Sequence, residues 1–159
     1  MNRLLTIAVA VSVLVLPAAA QRDFPRAEVF AGYQFLHLNP SLNASGWNAA
    51  VNGNVNRWLG ITADFSGVYK NGGHLYTYMF GPSFSARTGP VTAFARTLLG
   101  GATDGGDSAF SMAVGGGADV NAGEHFAIRL VQADWMLFRS GGVSAKKNAR
   151  VSAGVVFRF

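Results

Sequence analysis

The chain has 159 residues, no cysteine and a formal net charge of +5. The absence of cysteine excludes disulfides and thiolate chemistry, and the positive charges form no run of the kind that binds nucleic acid. Only 13% of the residues are charged, whereas the surface of a small soluble domain carries about 25–35%. The three lysines, Lys70, Lys146 and Lys147, all fall in loop-like stretches. A soluble β-protein places lysine on outward strand faces and edges, so the composition disfavours a soluble protein.

The first 20 residues predict a secretory signal peptide. Arg3 precedes an apolar run from Leu4 to Leu16, and three alanines at 18–20 provide a cleavage position before Gln21. The alternative, an N-terminal membrane anchor, is disfavoured because the run is shorter than the roughly 18 residues that a spanning helix needs. We therefore expect an exported single domain over residues 21–159.

Eight segments of the exported region alternate between apolar and polar residues, and Gly, Asn, Pro and Ser separate them. This period of two indicates β-strands, and each segment is long enough for a tilted transmembrane strand, which needs about 9–11 residues. The segments are 27–37, 47–56, 59–69, 75–87, 91–99, 109–121, 126–139 and 151–159.

Two segments leave their register open. In the fifth, Arg96 marks the polar face, but Phe94 and Leu98 share that face. In the seventh, Arg129 is out of phase with Gln132 and Asp134, so we predict a β-bulge near Val131 that brings all three polar side chains to one face.

The connections also alternate in character. Those around residues 56–58, 87–90 and 121–125 are tight, whereas those near 38–46, 70–74, 100–108 and 139–148 are mostly longer and richer in Gly and Ser. Short turns at one end and longer loops at the other are typical of an up-and-down antiparallel barrel in an outer membrane. We therefore predict an all-β, eight-stranded transmembrane barrel with its short turns in the periplasm.

Alternation alone also fits a soluble, lipocalin-like barrel with apolar residues inside. The polar face, however, consists of Asn, Ser, Thr, Gly and a few Asp and Arg residues, which pack inside a narrow barrel. Aromatic residues also cluster near both strand ends, as in the two interfacial girdles of membrane barrels. The predicted girdle residues are Trp47, Tyr69, Tyr76 and Trp135 near the long-loop end, and Trp58, Phe84 and Phe126 near the short-turn end.

The last strand carries a further pattern: Ser152, Gly154, Phe157 and Phe159. It resembles the C-terminal assembly signal of bacterial outer-membrane β-barrels, polar-x-Gly-x-x-aromatic-x-aromatic. The exported chain as a whole resembles the small eight-stranded OmpA-like and OmpX-like barrels, and IRLVQADW resembles their seventh strand with one extra residue. The resemblance implies a Gram-negative outer-membrane location, contact with membrane lipid, and recognition of Phe159 by the barrel-assembly machinery and periplasmic chaperones.

On this assignment the lumen holds four acidic and four basic side chains. Buried charges must be paired, and antiparallel neighbours suggest the pairs. The predicted lumen pairs are Glu28–Arg158, Asp119–Arg129, Asp134–Arg150 and, across the lumen, Asp64–Arg96.

No motif for catalysis or cofactor binding is present. His37, His74 and His125 lack metal-ligand spacing, so we expect no metal, no cofactor and no enzymatic activity. Three functions stay open: a structural or interaction protein with a salt-bridged lumen, a narrow ion or small-solute pore, and a soluble periplasmic binder of an apolar ligand.

Overall fold

The computed structural model describes residues 24–38 and 42–159. The predicted signal peptide, residues 1–20, lies outside them. Among the described residues, no helix is long and apolar enough to span a membrane. The strands pair antiparallel in chain order, and β1 also pairs with β8, so they form a closed barrel. They are β1 Ala27–Leu38, β2 Leu42–Asn54, β3 Leu59–Lys70, β4 Gly73–Thr88, β5 Val91–Asp104, β6 Asp107–Asn121, β7 Phe126–Ser140 and β8 Val143–Arg158. The predicted fold class is confirmed.

Side chains alternate between an apolar exterior and a lumen rich in polar groups. Outside, Ile61 is 59% exposed and Phe80 67%, whereas Asp64 and Ser111 inside are fully buried. A soluble barrel has the opposite arrangement, because its apolar residues must face away from water. The exterior therefore matches a lipid environment.

The end of the barrel that holds both Ala27 and Arg158 is called the lower end here, and the opposite end the upper end. The prediction of longer loops is wrong for three of the four upper connections. In the three upper connections that the structure describes in full, strands of up to 16 residues continue into the Gly-rich stretches and close in two-residue turns. Asn71 and Gly72 have φ values of 49° and 82°, and Gly141 and Gly142 have 55° and 85°. Positive φ at both positions is the type I′ geometry that favours Asn-Gly and Gly-Gly.

The predicted bulge in β7 is present. Pairing with β6 shifts between Ala118–Val131 and Asp119–Arg129, so Leu130 is an extra residue. Leu130 and Val131 both face outward, while Arg129 and Gln132 both face the lumen. A second irregularity between β7 and β8, which the sequence analysis did not predict, places Lys146 and Lys147 opposite a single β7 residue.

The open register of β5 is also resolved. Arg96 and Leu98 are buried in the lumen, at 3% and 0% exposure, and Phe94 packs beneath the Arg129 guanidinium on the same side. The strand thus keeps a regular alternation, and its lumen face carries two apolar residues beside the arginine.

The interior of the barrel is layered, and the inward residues of β7 cross the layers in order. From the lower end these are Arg129, then Gln132 and Asp134, then Met136 and Phe138. A charged lower layer is thus followed by a charged middle layer and then by an apolar one. The apolar layer consists of Leu36, Ala44, Val68, Met79, Leu98, Ala113 and Met136.

Gly115 makes room for the charged middle layer. A Cβ atom at this position would lie 2.5 Å from Asp134 Oδ1 and 2.1 Å from the Ala133 carbonyl oxygen. Only glycine fits there without displacing the neighbouring strand, so this strand-interior glycine has a packing role.

Candidate functional site in the barrel lumen

Two arginines and two aspartates form a closed ring of ion pairs in the middle layer. Nitrogens of Arg96 lie 3.0 Å from a carboxylate oxygen of Asp64 and 2.8 Å from one of Asp134. Arg150 makes the matching contacts at 2.8 Å and 2.7 Å. All four side chains are at most 1% exposed. The charges cancel within the ring, and each desolvated group has two partners of opposite sign. Buried charges require such pairing.

Two amide side chains hold the ring in place. Gln132 Nε2 donates to Asp134 Oδ2 at 3.0 Å and to Asn48 Oδ1 at 3.2 Å. Asn48 Nδ2 in turn donates to Asp64 Oδ2 at 3.1 Å. The amides therefore link the two carboxylates across the lumen and add donors to the same carboxylate oxygens that the arginines contact.

Glu28 is the centre of the lower network. Its carboxylate accepts from Arg158 Nε at 2.8 Å and from Arg87 Nη2 at 3.3 Å. Asn52 and Asn54 each donate an amide hydrogen to Glu28 Oε2, at 3.2 Å and 3.1 Å. Four strands, β1, β2, β4 and β8, thus meet at one carboxylate near the point where the barrel closes.

Arg129 forms the other half of the lower network. It donates to both carboxylate oxygens of Asp119, at 2.7 Å and 3.0 Å. Its guanidinium carbon lies 4.4 Å from the ring centre of Phe30 and 4.1 Å from that of Phe94. The two aromatic faces supply cation–π contacts and enclose the charge between apolar walls.

The structure brings all the predicted lumen residues together. The pairs in contact are Glu28–Arg158, Asp119–Arg129, Asp134–Arg150 and Asp64–Arg96. Arg87 was not among the predicted lumen residues, and it is the fifth arginine of the lumen. Its position in the alternation of β4, in phase with Ser83 and Ser85, was the signal that could have placed it inside.

The lumen is closed along its middle. Leu98, Ala113 and Met136 of the apolar layer are 0% exposed, and Asp64 below them is also 0% exposed. A cavity of about 30 Å³ separates the charged ring from the lower network. That volume is far below the roughly 300–1,000 Å³ of small-molecule sites.

A larger cavity of about 560 Å³ lies above the apolar layer, at the upper mouth of the barrel. This cavity was not predicted from the sequence. Its walls include Val68, Leu75 and Phe138, and its rim includes Asp104 and Asp107. The inward phase of Leu75 and Phe138 was visible in the alternation, but their meeting above a closed lumen depends on how far the strands extend.

The predicted girdle residues lie on the exterior near the two ends. At the upper end Trp47 Nε1 donates to the Tyr69 hydroxyl at 3.2 Å, and the hydroxyls of Tyr69 and Tyr76 are 3.3 Å apart. At the lower end Trp58 stacks on Phe84 with ring centres 6.0 Å apart. The remaining predicted members are Phe126, whose ring contacts Phe157 at 5.5 Å, and Trp135, which is 42% exposed.

The residues of the predicted assembly signal occupy the lower half of β8. Ser152 and Gly154 face the lumen, whereas Phe157 and Phe159 lie outside, each 46% exposed. The Phe159 backbone also joins the barrel seam, since its N–H donates to the Ala27 carbonyl at 2.9 Å. Recognition of these residues during assembly stays a prediction.

The histidines have no metal-binding arrangement. His37 Nδ1 lies 2.6 Å from Asn43 Oδ1, and the His74 ring packs against Tyr76 at 5.2 Å. Within residues 24–38 and 42–159, no cluster of three or more His, Cys, Asp or Glu side chains could hold a metal ion.

Several solved structures of outer-membrane proteins are similar to this chain. Neisserial surface protein A has a TM-score of 0.65 at 15% identity, over 84% of this chain and 96% of its own. Ail, the attachment invasion locus protein of Yersinia pestis, has 0.58 at 18% identity, over 86% and 99%. The N-terminal β-barrel domain of Pseudomonas aeruginosa OprF has 0.56 at 12% identity, over 86% and 100%.

This chain has the fold of the small bacterial outer-membrane β-barrels. No protein-family model and no curated protein matches it. A de novo designed transmembrane β-barrel is similar as well, with a TM-score of 0.53 at 8% identity. The shared property is therefore the barrel itself, and the particular role has to be argued from the lumen and the two ends.

Proposed function

We propose that the protein is an integral outer-membrane barrel with a sealed lumen, and that it has a structural or interaction role at the cell surface. The apolar exterior supports the membrane location, in agreement with the fold. The observation that carries the sealed lumen is the buried Arg96–Asp64–Arg150–Asp134 ring, which lies directly beneath an apolar layer.

A role at the surface is supported by the upper hairpins. We place them on the extracellular side because Phe159, the end of the predicted assembly signal, lies at the lower end. They carry exposed charges of both signs, with Arg139, Lys146 and Lys147 on β7 and β8, and Asp104 and Asp107 on β5 and β6. Charged hairpins above a membrane are available to partners, whereas the charged layers of the lumen are buried. A soluble ligand-binding barrel is disfavoured because the apolar face points outward.

Membrane fractionation with a heat-modifiability gel tests the location. We expect the protein in the outer-membrane fraction, with unboiled and boiled samples migrating differently because the closed barrel resists unfolding in detergent. Soluble protein without a shift between the two samples would contradict the membrane assignment.

Planar-bilayer recording tests the sealed lumen. We expect no discrete conductance from the wild type, and none from Arg96→Ala, because Leu98, Ala113 and Met136 still close the barrel above the ring. Insertion is verified by recovering the folded band from the same bilayer lipid. Reproducible ohmic steps from the wild type would establish the narrow pore instead.

A further inference from the structure

The upper cavity has the dimensions and lining of a small-molecule site. Its volume of about 560 Å³ falls within the roughly 300–1,000 Å³ typical of such sites, which are mainly apolar with a few polar groups. Its apolar walls are formed by Leu38, Val68, Leu75, Ala102 and Phe138. The apolar layer below is buried, so among the described residues the cavity is closed at its floor.

The rim of this pocket carries an unbalanced pair of carboxylates. Asp104 and Asp107 are cross-strand partners on either side of the Gly105–Gly106 turn, and both line the cavity together with the single cation Lys70. Like charges directly opposite each other destabilise a strand pair. Within the described chain, neither carboxylate forms a salt bridge.

From this juxtaposition we infer that the upper cavity binds a small molecule with an apolar body and a cationic head group. The apolar body fills the space against Leu75 and Phe138, where it replaces water at an apolar wall. The cationic head group lies between Asp104 and Asp107 and relieves their repulsion. The His74 ring, which lies 3.8 Å from the position of a Cβ on Gly105, limits the pocket on the β3–β4 side.

Three probes of one shape test the inference: adamantylammonium, adamantanecarboxylate and adamantanol. The full exported chain is reconstituted in phosphatidylcholine nanodiscs, and backbone amide shifts of Gly73 and Ser108, which line the cavity, are followed by NMR during titration. Saturation of these amide shifts separates binding in the cavity from partition of the probe into the bilayer, because partition does not saturate. We expect saturable shifts with the ammonium compound, weaker ones with the alcohol and the weakest with the carboxylate.

Two sets of variants separate the head group from the apolar body. Asp104→Asn with Asp107→Asn should weaken adamantylammonium binding about tenfold, since two exposed charge contacts together contribute on that order, and should leave adamantanol binding unchanged. Ala109→Phe fills the cavity and should abolish the shifts for all probes. Ala133→Phe places the same side chain on the lipid-facing exterior and should leave them intact.

Equal binding of the three probes would overturn the proposed preference for a cationic head group. An unchanged affinity for adamantylammonium in the double asparagine variant would overturn it as well. Unsaturable shifts would overturn the site itself. Folding of each variant is checked by heat modifiability, and the asparagine pair keeps the test decisive even if Ala109→Phe fails to fold. The floor of the cavity rests on the sealed lumen, but the two tests are distinguishable: a conducting wild type would refute the sealed lumen, whereas only the titrations can refute the binding site.

Discussion

Replacing Asp134 by asparagine should destabilise the barrel by about 3–5 kcal/mol, the usual cost of removing one partner from a buried ion pair. Asp134 accepts from Arg96 at 3.2 Å and 2.8 Å, and from Arg150 at 3.0 Å and 2.7 Å. The asparagine leaves two buried guanidinium groups with one carboxylate, Asp64, and turns an NH₂ group towards donors. The loss is a large fraction of the 5–15 kcal/mol that stabilises a typical domain.

Urea unfolding in lipid vesicles, followed by tryptophan fluorescence, measures this loss. Asp107→Asn, an exposed rim substitution, is the control and should change the free energy of unfolding by less than about 0.5 kcal/mol. The double variant Asp134→Asn with Arg96→Met removes one charge of each sign and keeps the Arg150–Asp64 pair, which is 2.8 Å apart.

We therefore expect a coupling free energy of about 2–3 kcal/mol between Arg96 and Asp134 in a double-mutant cycle. A loss below about 1 kcal/mol for Asp134→Asn would refute the ring as a set of mutually dependent charges. Strict additivity of the two single substitutions would refute it as well.

Three further results are expected. Gly115→Val should abolish the heat-modifiable folded band after refolding, because its Cβ would lie 2.5 Å from an oxygen of Asp134. Deleting Leu130 should preserve that band, since it removes only the extra bulge residue. Deleting Ala133 also removes one residue from the bulge but turns Gln132 towards lipid, so it should reduce that band because the Gln132 hydrogen bonds to Asn48 and Asp134 are lost. Phe159→Ala should reduce the folded fraction in cell outer membranes but leave urea stability of refolded protein within about 0.5 kcal/mol, since its backbone hydrogen bonds remain.

The sequence predicted the faces of the strands well because a period of two is a local property. Only a bulge could bring three polar side chains of β7 to one face: Arg129, Gln132 and Asp134. The pairing of β7 with both neighbouring strands shifts at that bulge. The pairs also followed from locality: Asp119 and Arg129 flank one turn, and Asp134 and Arg150 flank one hairpin. Charge balance then left Asp64 and Arg96 as a pair across the lumen.

The features that the sequence did not reveal depend on distances between strands. Two-residue turns at Asn71–Gly72 and Gly141–Gly142 extend the hairpins into stretches whose Gly and Ser content suggested loops. That extension creates the walls of the upper cavity. The alternation of β4 places Arg87 on the lumen face, but its pairing with Glu28 depends on the approach of β1.

The charge pairs also restrict the register of the barrel. A slip of one residue between two strands would turn the arginines and aspartates of one strand towards lipid, where an arginine costs about 2–4 kcal/mol near the bilayer midplane. A slip of two residues keeps every side chain on its proper face, so alternation cannot oppose it. That slip would still separate Asp134 from Arg150, which are direct cross-strand partners, and would leave two charges unpaired in the lumen. The apolar exterior thus excludes odd slips by burial, and the ion-pair ring excludes even slips by pairing.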